Sequence, residues 1–321
     1  MRAITQDVYG GPEVLRLEDV EVPEPGKGQV RVRVLAAALD AGIWHLTTGR
    51  PPIARLGLGL TRPRSRVSGQ ELAGVVDAVG PGVTRWAVGD RVFGQGSGAF
   101  AEHALAREDR LAALPDGVPP EAAATLAVSG STALIAVRTG RVTAGLRVLV
   151  IGAGGGVGSF AVQIAKALGA SVTGMASGGK AELVRGLGAD RFVDYTTERL
   201  DSAGVHDVVI DTAGNRPLGE VRRLLVPGGT AVLVGSGVAT AGWLAGLGRM
   251  IASGPVSLFV PQRLVGFFGV TRSADLADLA AMVVDGRIVP TVGRVGGLED
   301  VPDALAELGR GHATGKAVFV P

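Results

Sequence analysis

No cysteine occurs anywhere in the 321 residues. That absence removes disulfides, thiolate metal sites and a thiol nucleophile together. The four histidines, His45, His103, His206 and His312, lie far apart and match no metal-ligand spacing. Lysine is scarce as well: Lys27, Lys166, Lys180 and Lys316 are the whole set, and the other basic side chains are arginines. The basic residues form no block and the formal charge is only +2, so a nucleic-acid partner has little support. The first residues, MRAITQDVYGG, carry no apolar targeting core, and a cytoplasmic location is expected. A long apolar run is also missing. The most membrane-like stretch, 230–260, is broken by repeated glycine, by Arg249 and by Pro255. It falls short of the roughly 20 apolar residues a span needs. A strand followed by apolar helical turns is expected there, with no membrane contact.

What is present reads as a globular chain of two domains. Apolar residues make 46% and charged residues 19%, the balance of a folded soluble protein of this length. Up to about residue 120 the pattern is short strands and turns. Residues 30–38 alternate, with Val30, Val32 and Val34 on one face and Arg31 and Arg33 on the other. Further strands are expected at 72–79 and 91–93. From about residue 121 the texture changes. An alanine-rich helix over 121–138, broken near Ser129-Gly130, leads into alternating strands and helices. Strands are expected at 147–151, 171–175, 191–193, 208–211, 231–234 and 264–270, with helices at 159–168 and 181–187. This alternation implies an open parallel sheet covered by helices on both faces. The tail adds helices at 273–285 and 301–308 and a last strand at 317–320, and is expected to return to the first lobe.

The segment 151–158 reads IGAGGGVG and joins a buried strand to a helix. Glycines there let the backbone turn sharply and approach a pyrophosphate, while the helix start offers free N–H groups and a positive dipole end. The strict G-x-G-x-x-G spacing does not fit. Two registers do: Ala153-x-Gly155-x-x-Gly158, or Gly152-x-x-Gly155-x-x-Gly158. The expected contacts are Gly154, Gly155, Gly156 and Val157; the other reading is a tight turn with nothing bound. An NAD site normally places Asp or Glu about 20 residues on. Here the next strand ends in Ser177-Gly178-Gly179-Lys180, a hydroxyl and an ammonium that favour a 2′-phosphate. NADP(H) is therefore expected, with Ser177 and Lys180 on the phosphate. Lys180 also reads as a solvated residue at a helix start. Tyr195 closes the adenosine end in one reading and is a plain surface residue in the other.

Residues 69–80, GQELAGVVDAVG, followed by VGDRVFG at 88–94 and the glycine loop, resemble the medium-chain dehydrogenase/reductase superfamily across essentially the whole chain. Within it the chain is similar to the quinone oxidoreductase and zeta-crystallin branch. The resemblance implies an α/β fold: a Rossmann doubly wound parallel sheet plus a split, GroES-like β-rich catalytic domain. The expected boundaries are 1–122 for the first part of the catalytic domain, 123–265 for the dinucleotide domain and 266–321 for the return. In zinc alcohol dehydrogenases the first motif begins Gly-His-Glu and its His binds catalytic zinc. Here that position is Gln70, and no thiolate or four-Cys lobe exists, so no metal is expected.

The segment 36–49, AAALDAGIWHLTTG, supplies the candidate catalytic residues Asp40, Trp44 and His45. The resemblance places an Asn near Asp40, in contact with the nicotinamide ribose. Ionised Asp40 accepts hydrogen bonds but cannot donate, so a proton-donor role requires a raised pKa. His45 relays a proton in one reading; in the other, Trp44 and His45 are simply packed. Apart from Tyr9 the lobe has no tyrosine, which leaves water as proton source. The resemblance further implies Thr132 near the nicotinamide or its phosphates, Thr212 and Asn215 at the ribose, Gly235 and Ser236 with Phe268 along the nicotinamide, and Lys316 on a phosphate. Residues 243–259 with Leu264 wall the substrate pocket or are ordinary core.

Without a Lewis acid nothing polarises an alkoxide strongly. Hydride addition to a quinone, enone or enal needs less help, so conjugate reduction is the expected activity, the nicotinamide lying in the cleft between the lobes. Three alternatives stay open: an enoyl-thioester or polyketide tailoring reductase, a non-catalytic NADPH-binding sensor or structural protein, and a carbonyl reductase. The resemblance also implies a homodimer joined through the strand at 264–270, whose exposed edge gives a motive.

Overall fold

The computed structural model describes residues 1–235, 246–267, 269–311 and 313–321. Six strands open the chain: β1 (Arg2–Thr5), β2 (Arg16–Asp19), β3 (Gln29–Ala38), β4 (Glu71–Val79), β5 (Arg91–Ser97) and β6 (His103–Ala113). The middle of the chain adds β7 (Arg147–Ile151), β8 (Ser171–Ala176), β9 (Arg191–Asp194), β10 (His206–Asp211), β11 (Leu225–Val234) and β12 (Arg263–Phe267). Near the end come β13 (Val292–Gly296) and β14 (Lys316–Phe319).

The chain packs as two units. The first holds Met1–Ser131, Val270–Asp285 and Pro290–Pro321; the second holds Thr132–Gly269 and Gly286–Val289. The sequence reading starts the second domain at residue 123 and ends it at 265. The physical reason for the later start is Glu71 of β4, whose carboxylate accepts from the backbone N–H groups of Val128 and Ser129 and ties that turn to the first unit.

In the first unit, β3, β4, β5 and β6 pair antiparallel in sequence, and β6 returns to β3 to close the ring. Closure removes the sheet edges that would otherwise seek a partner. β14 takes the end of the same β3 edge, antiparallel at Val318↔Ala38, and β13 runs parallel beside it. The alternation read in β3 is realised: Val30, Val32 and Val34 are buried and Arg33 is exposed. Each fully buried valine of this kind contributes about 1.5–3 kcal/mol relative to exposure. Phe100 and Phe319 meet edge to face in the same core, centroids 5.4 Å apart.

In the second unit six parallel strands run in the order β12-β11-β10-β7-β8-β9. Counted from β7 this is the doubly wound order 3-2-1-4-5-6 read from one edge, and its direction reverses between β7 and β10. The continuous apolar run of β7 is buried on both faces, Val148, Leu149 and Val150 among it, as expected of a central parallel strand. Among the described residues no helix is long and apolar enough to cross a membrane.

Candidate active site

The glycine loop leaves β7 at the reversal point and enters the helix Gly156–Ala167, three residues earlier than the sequence reading starts it. Its glycines have separate tasks. Gly152 sits at φ +83°, where a side chain is strained. A Cβ on Gly158 would lie 2.1 Å from the Gly152 carbonyl oxygen, so helix and strand meet too closely for one. Gly155, the helix N-cap, has an ordinary φ of −92°, and a Cβ there would find nothing nearer than 3.4 Å. Among the described residues nothing demands a glycine at 155. An approaching ligand would. The spacing in use is thus Gly152-x-x-Gly155-x-x-Gly158, and the helix start has no side-chain cap to compete for its N–H groups. The diphosphate of a nicotinamide dinucleotide fits this cradle.

Lys180 lies against the loop: a Cβ on Gly154 would be 2.6 Å from its Cδ. Ser177 caps the turn Gly178–Lys180, and its carbonyl accepts from the Lys180 N–H at 2.9 Å. Tyr195 is brought to the same place by its backbone N–H, which donates to Ala176 at 3.2 Å. One neighbour was not read from sequence. Asp194, at the end of β9, leans toward Gly178, where a Cβ would be 2.4 Å from its Oδ2. The Thr196 hydroxyl and N–H donate to Asp194 Oδ1 at 2.6 and 2.9 Å and hold its pKa below the usual range.

At the reversal point Thr212 donates its hydroxyl to the Ile151 carbonyl at 2.9 Å, and a Cβ on Gly152 would touch that hydroxyl at 2.5 Å. Asn215 is exposed on the loop beyond. This loop is braced by a pair the sequence reading did not assign. Asp211 Oδ1 accepts from the Ala213 and Gly214 N–H groups, while Arg249 Nη1 donates to Asp211 Oδ2 at 2.5 Å and to the Arg216 carbonyl at 2.9 Å. The available signal was Arg249 itself, one charge inside an apolar stretch. Thr132 lies close to Gly269, where a Cβ would be 2.8 Å from its hydroxyl. Gly235 follows β11 at φ +73°. Ser236, Phe268, Trp243 and His312 lie outside the described residues.

In the first unit Asp40 caps the helix Ala41–Thr48, its Oδ1 accepting from the Gly42 N–H at 2.6 Å. Asp40 is 4% exposed and its Oδ2 is buried with no hydrogen-bond partner among the described residues. Burial raises its pKa, opposed by the nearby Lys316 ammonium. Trp44 packs against the helix Val301–Gly309, so close that a Cβ on Gly309 would be 2.2 Å from its ring. His45 Nδ1 lies 2.8 Å from the Arg50 carbonyl. A carbonyl only accepts, so Nδ1 carries the hydrogen. Burial holds the His45 pKa below its ordinary value, which favours the neutral ring with Nε2 as an acceptor. That arrangement is poorly suited to delivering a proton.

Lys316 differs from its expectation. It is 2% exposed and its ammonium is engaged by Glu71, itself fully buried. Glu71 Oε1 accepts from Val128 and Ser129 at 2.8 and 3.0 Å. Burial, with the charge of Asp40, pushes Glu71 up to about 7 against the pull of Lys316. Lys316 thus faces inward to a carboxylate rather than outward to a phosphate.

Beside these residues the first unit has a cleft of about 310 Å³ whose walls include Gln6, Tyr9, Leu46, Leu58, Arg64 and Gln70. The Tyr9 hydroxyl donates to the Gly59 carbonyl at 2.7 Å and the Arg55 guanidinium stacks 4.5 Å over its ring. Gln70, at the position of the zinc-binding His in zinc alcohol dehydrogenases, accepts at Oε1 from Gln95 Nε2 at 3.1 Å. Its own Nε2 lies near Gly42, where a Cβ would be 3.1 Å away. An amide held in this way, with no thiolate in the chain, is not a zinc donor set. Among the described residues no three His, Cys, Asp or Glu are grouped to hold a metal.

Residues 26–116 match the alcohol dehydrogenase GroES-like domain, and residues 187–319 match a domain described as zinc-binding dehydrogenase. The quinone oxidoreductase of Pseudomonas aeruginosa is 34% identical over 98% of this chain and 97% of its own length. An NADPH-dependent alkenal/one oxidoreductase of Arabidopsis thaliana chloroplasts is 32% identical over the whole chain and 80% of its own. The solved quinone oxidoreductase of Coxiella burnetii superposes with a TM-score of 0.86 at 27% identity, covering 100% of this chain and 99% of that one.

Proposed function

Since the chain belongs to the medium-chain dehydrogenase/reductase superfamily, in its quinone oxidoreductase branch, we propose that this oxidoreductase moves hydride from NADPH to a quinone or an α,β-unsaturated carbonyl without zinc. The observation that carries the reaction class is Gln70. A neutral amide cannot activate an alcohol as a metal would, but it can donate a hydrogen bond to the oxygen of an acceptor that is already polarised. Gln70 Oε1 accepts from Gln95, which leaves the Gln70 N–H groups for that task.

NADPH supplies the hydride when bound. The loop residues Gly154, Gly155, Gly156 and Val157 hold its diphosphate through backbone N–H groups. Ser177 and Lys180 hold the 2′-phosphate and Tyr195 closes the adenosine end; the proximity of Lys180 to the loop supports NADPH over NADH. Thr212 and Asn215 flank the ribose, while Thr132 and Gly235 serve the nicotinamide end. Asp40 Oδ2, a buried acceptor lacking a donor, receives a ribose hydroxyl. His45 positions its helix through Arg50, and water delivers the proton to the enolate oxygen or carbon. The protein is proposed to act in the cytoplasm as a homodimer.

The test is NADPH oxidation followed with four acceptors: a quinone, an enone, an enoyl thioester and a simple ketone. Turnover of the quinone or enone well above the ketone is expected. Turnover of the ketone alone, or of the thioester alone, overturns the reading. Tight NADPH binding without oxidation by any acceptor leaves a sensor instead.

A further inference from the structure

The thirty residues between Asp40 and Glu71 contain no acid, yet they hold Arg50, Arg55, Arg62, Arg64 and Arg66. Arg66 pairs with two carboxylates from outside the segment, Asp7 and Glu18, at 2.8 and 2.6 Å. Arg55 gives its Nε to the Gly49 carbonyl at 3.0 Å and its face to Tyr9. Among the described residues Arg50, Arg62 and Arg64 form no salt bridge. Arg62 and Arg16 act on Asp7 only through space. Of these arginines Arg64 is the one that lines the cleft, and among the described residues it is the sole charged side chain in the wall. The rest of the polar lining is neutral: Gln6, Ser65, Ser68, Gln70 and Ser97. Burial raises the Tyr9 pKa, and the nearby charges of Arg55 and Arg64 oppose that rise.

A concave, partly apolar wall concentrates such a field and favours an anion inside it. We infer that the natural acceptor is an anion, an enone or quinone whose carboxylate or phosphate is held by Arg64 at the mouth of this cleft. The inference deepens the proposed reaction and rests on it. The planar guanidinium suits either oxyanion, since both offer two oxygens to its paired N–H groups. Arg55 and Arg62 add field without being required for contact.

The experiment compares one enone in three forms: a carboxylate separated from the enone by a saturated chain, its methyl ester, and the corresponding phosphate monoester. The saturated spacer keeps the electrophile the same. At low ionic strength kcat/KM is expected to be about fivefold higher for the anions than for the ester, and the preference should shrink at about 0.5 M salt. The better of the two anions identifies which oxyanion the site prefers. Arg64→Gln should lower the acid-to-ester ratio about fivefold, and Arg64→Glu should invert it. An ester used as well as the acid, or a ratio untouched by both Arg64 variants, overturns the inference. If no form is reduced, the hydride reading fails, and the charge claim is then read from calorimetric titration of acid and ester into the NADPH-loaded protein. Acid binding that Arg64→Glu abolishes sustains it; equal or absent binding of the two overturns it.

Discussion

A single methyl group separates a structural glycine from a ligand-facing one. At Gly158 an alanine Cβ would collide with the Gly152 carbonyl at 2.1 Å, and the loop must break. At Gly155 the same Cβ meets only ordinary contact at 3.4 Å. Gly155→Ala should therefore leave stability within about 1 kcal/mol, the loss of a preferred cap residue offsetting the gain in chain stiffness. Its NADPH affinity should fall about tenfold or more, because the methyl occupies the approach to the diphosphate. Thermal melting and a fluorescence titration of NADPH measure the two effects separately. Wild-type affinity in this variant would remove the cradle assignment. Lys180 makes a second test at the same scale. Lys180→Ala should weaken NADPH by about tenfold, the range of one charge-assisted hydrogen bond, and leave NADH nearly unchanged. Equal losses for both cofactors would show that the ammonium does not serve the 2′-phosphate.

Strand register explains what local sequence could not say. The central strand β7 was legible because four consecutive residues, Val148 to Ile151, are apolar on both faces and a glycine follows them. The helix after the loop was legible for the same reason, though its first turn is glycine-rich and hid its true start at Gly156. β6 was missed. Its centre carries Arg107, Glu108, Asp109 and Arg110, and it is held by pairing with both β3 and β5 rather than by its own pattern. Lys316 was misread because its partner lies 245 residues away in sequence. The register Val318↔Ala38, continued by two residues, brings Lys316 to Asp40, while Ala38↔Glu71 brings β4 alongside. Only the assembled sheet creates that cluster. Above pH 7, where Glu71 is ionised, breaking it from one side leaves a buried charge unpaired, so Glu71→Gln and Lys316→Met should each cost about 3–5 kcal/mol there. The double variant should cost clearly less than the sum, a difference that urea unfolding of all four proteins reads directly. The cluster also sets a pH window. Glu71 binds its proton more tightly folded, about 7, than its ordinary value of 4.5. The folded state therefore holds the extra proton between those values, and its stabilising contribution is full below 4.5 and lost as pH rises to about 7. In Glu71→Gln that slope should disappear.

At the scale of the whole molecule the two edges of the parallel sheet are unequal. β9, RFVD, is four residues long and carries a charge at each end, which discourages further pairing. β12, RLVGF, has its one charge at the start, followed by apolar residues and glycine, with no proline to blunt it. The Leu264 and Gly266 N–H groups of this edge donate to the hydroxyls of Ser257 and Ser253, so a strand added here must displace those serines. The simplest partner is β12 of a second copy, because a two-fold axis through the edge lets the same surface serve both sides and closes the assembly at two. The resulting sheet would be continuous across both subunits and antiparallel only at its centre. Light scattering at micromolar concentration should then give twice the 32.5 kDa chain mass. Val265→Lys, at the middle of the edge, should return a monomer that still binds NADPH through the loop after β7. A wild-type monomer, or a Val265→Lys protein that remains dimeric, would place the contact elsewhere or remove it.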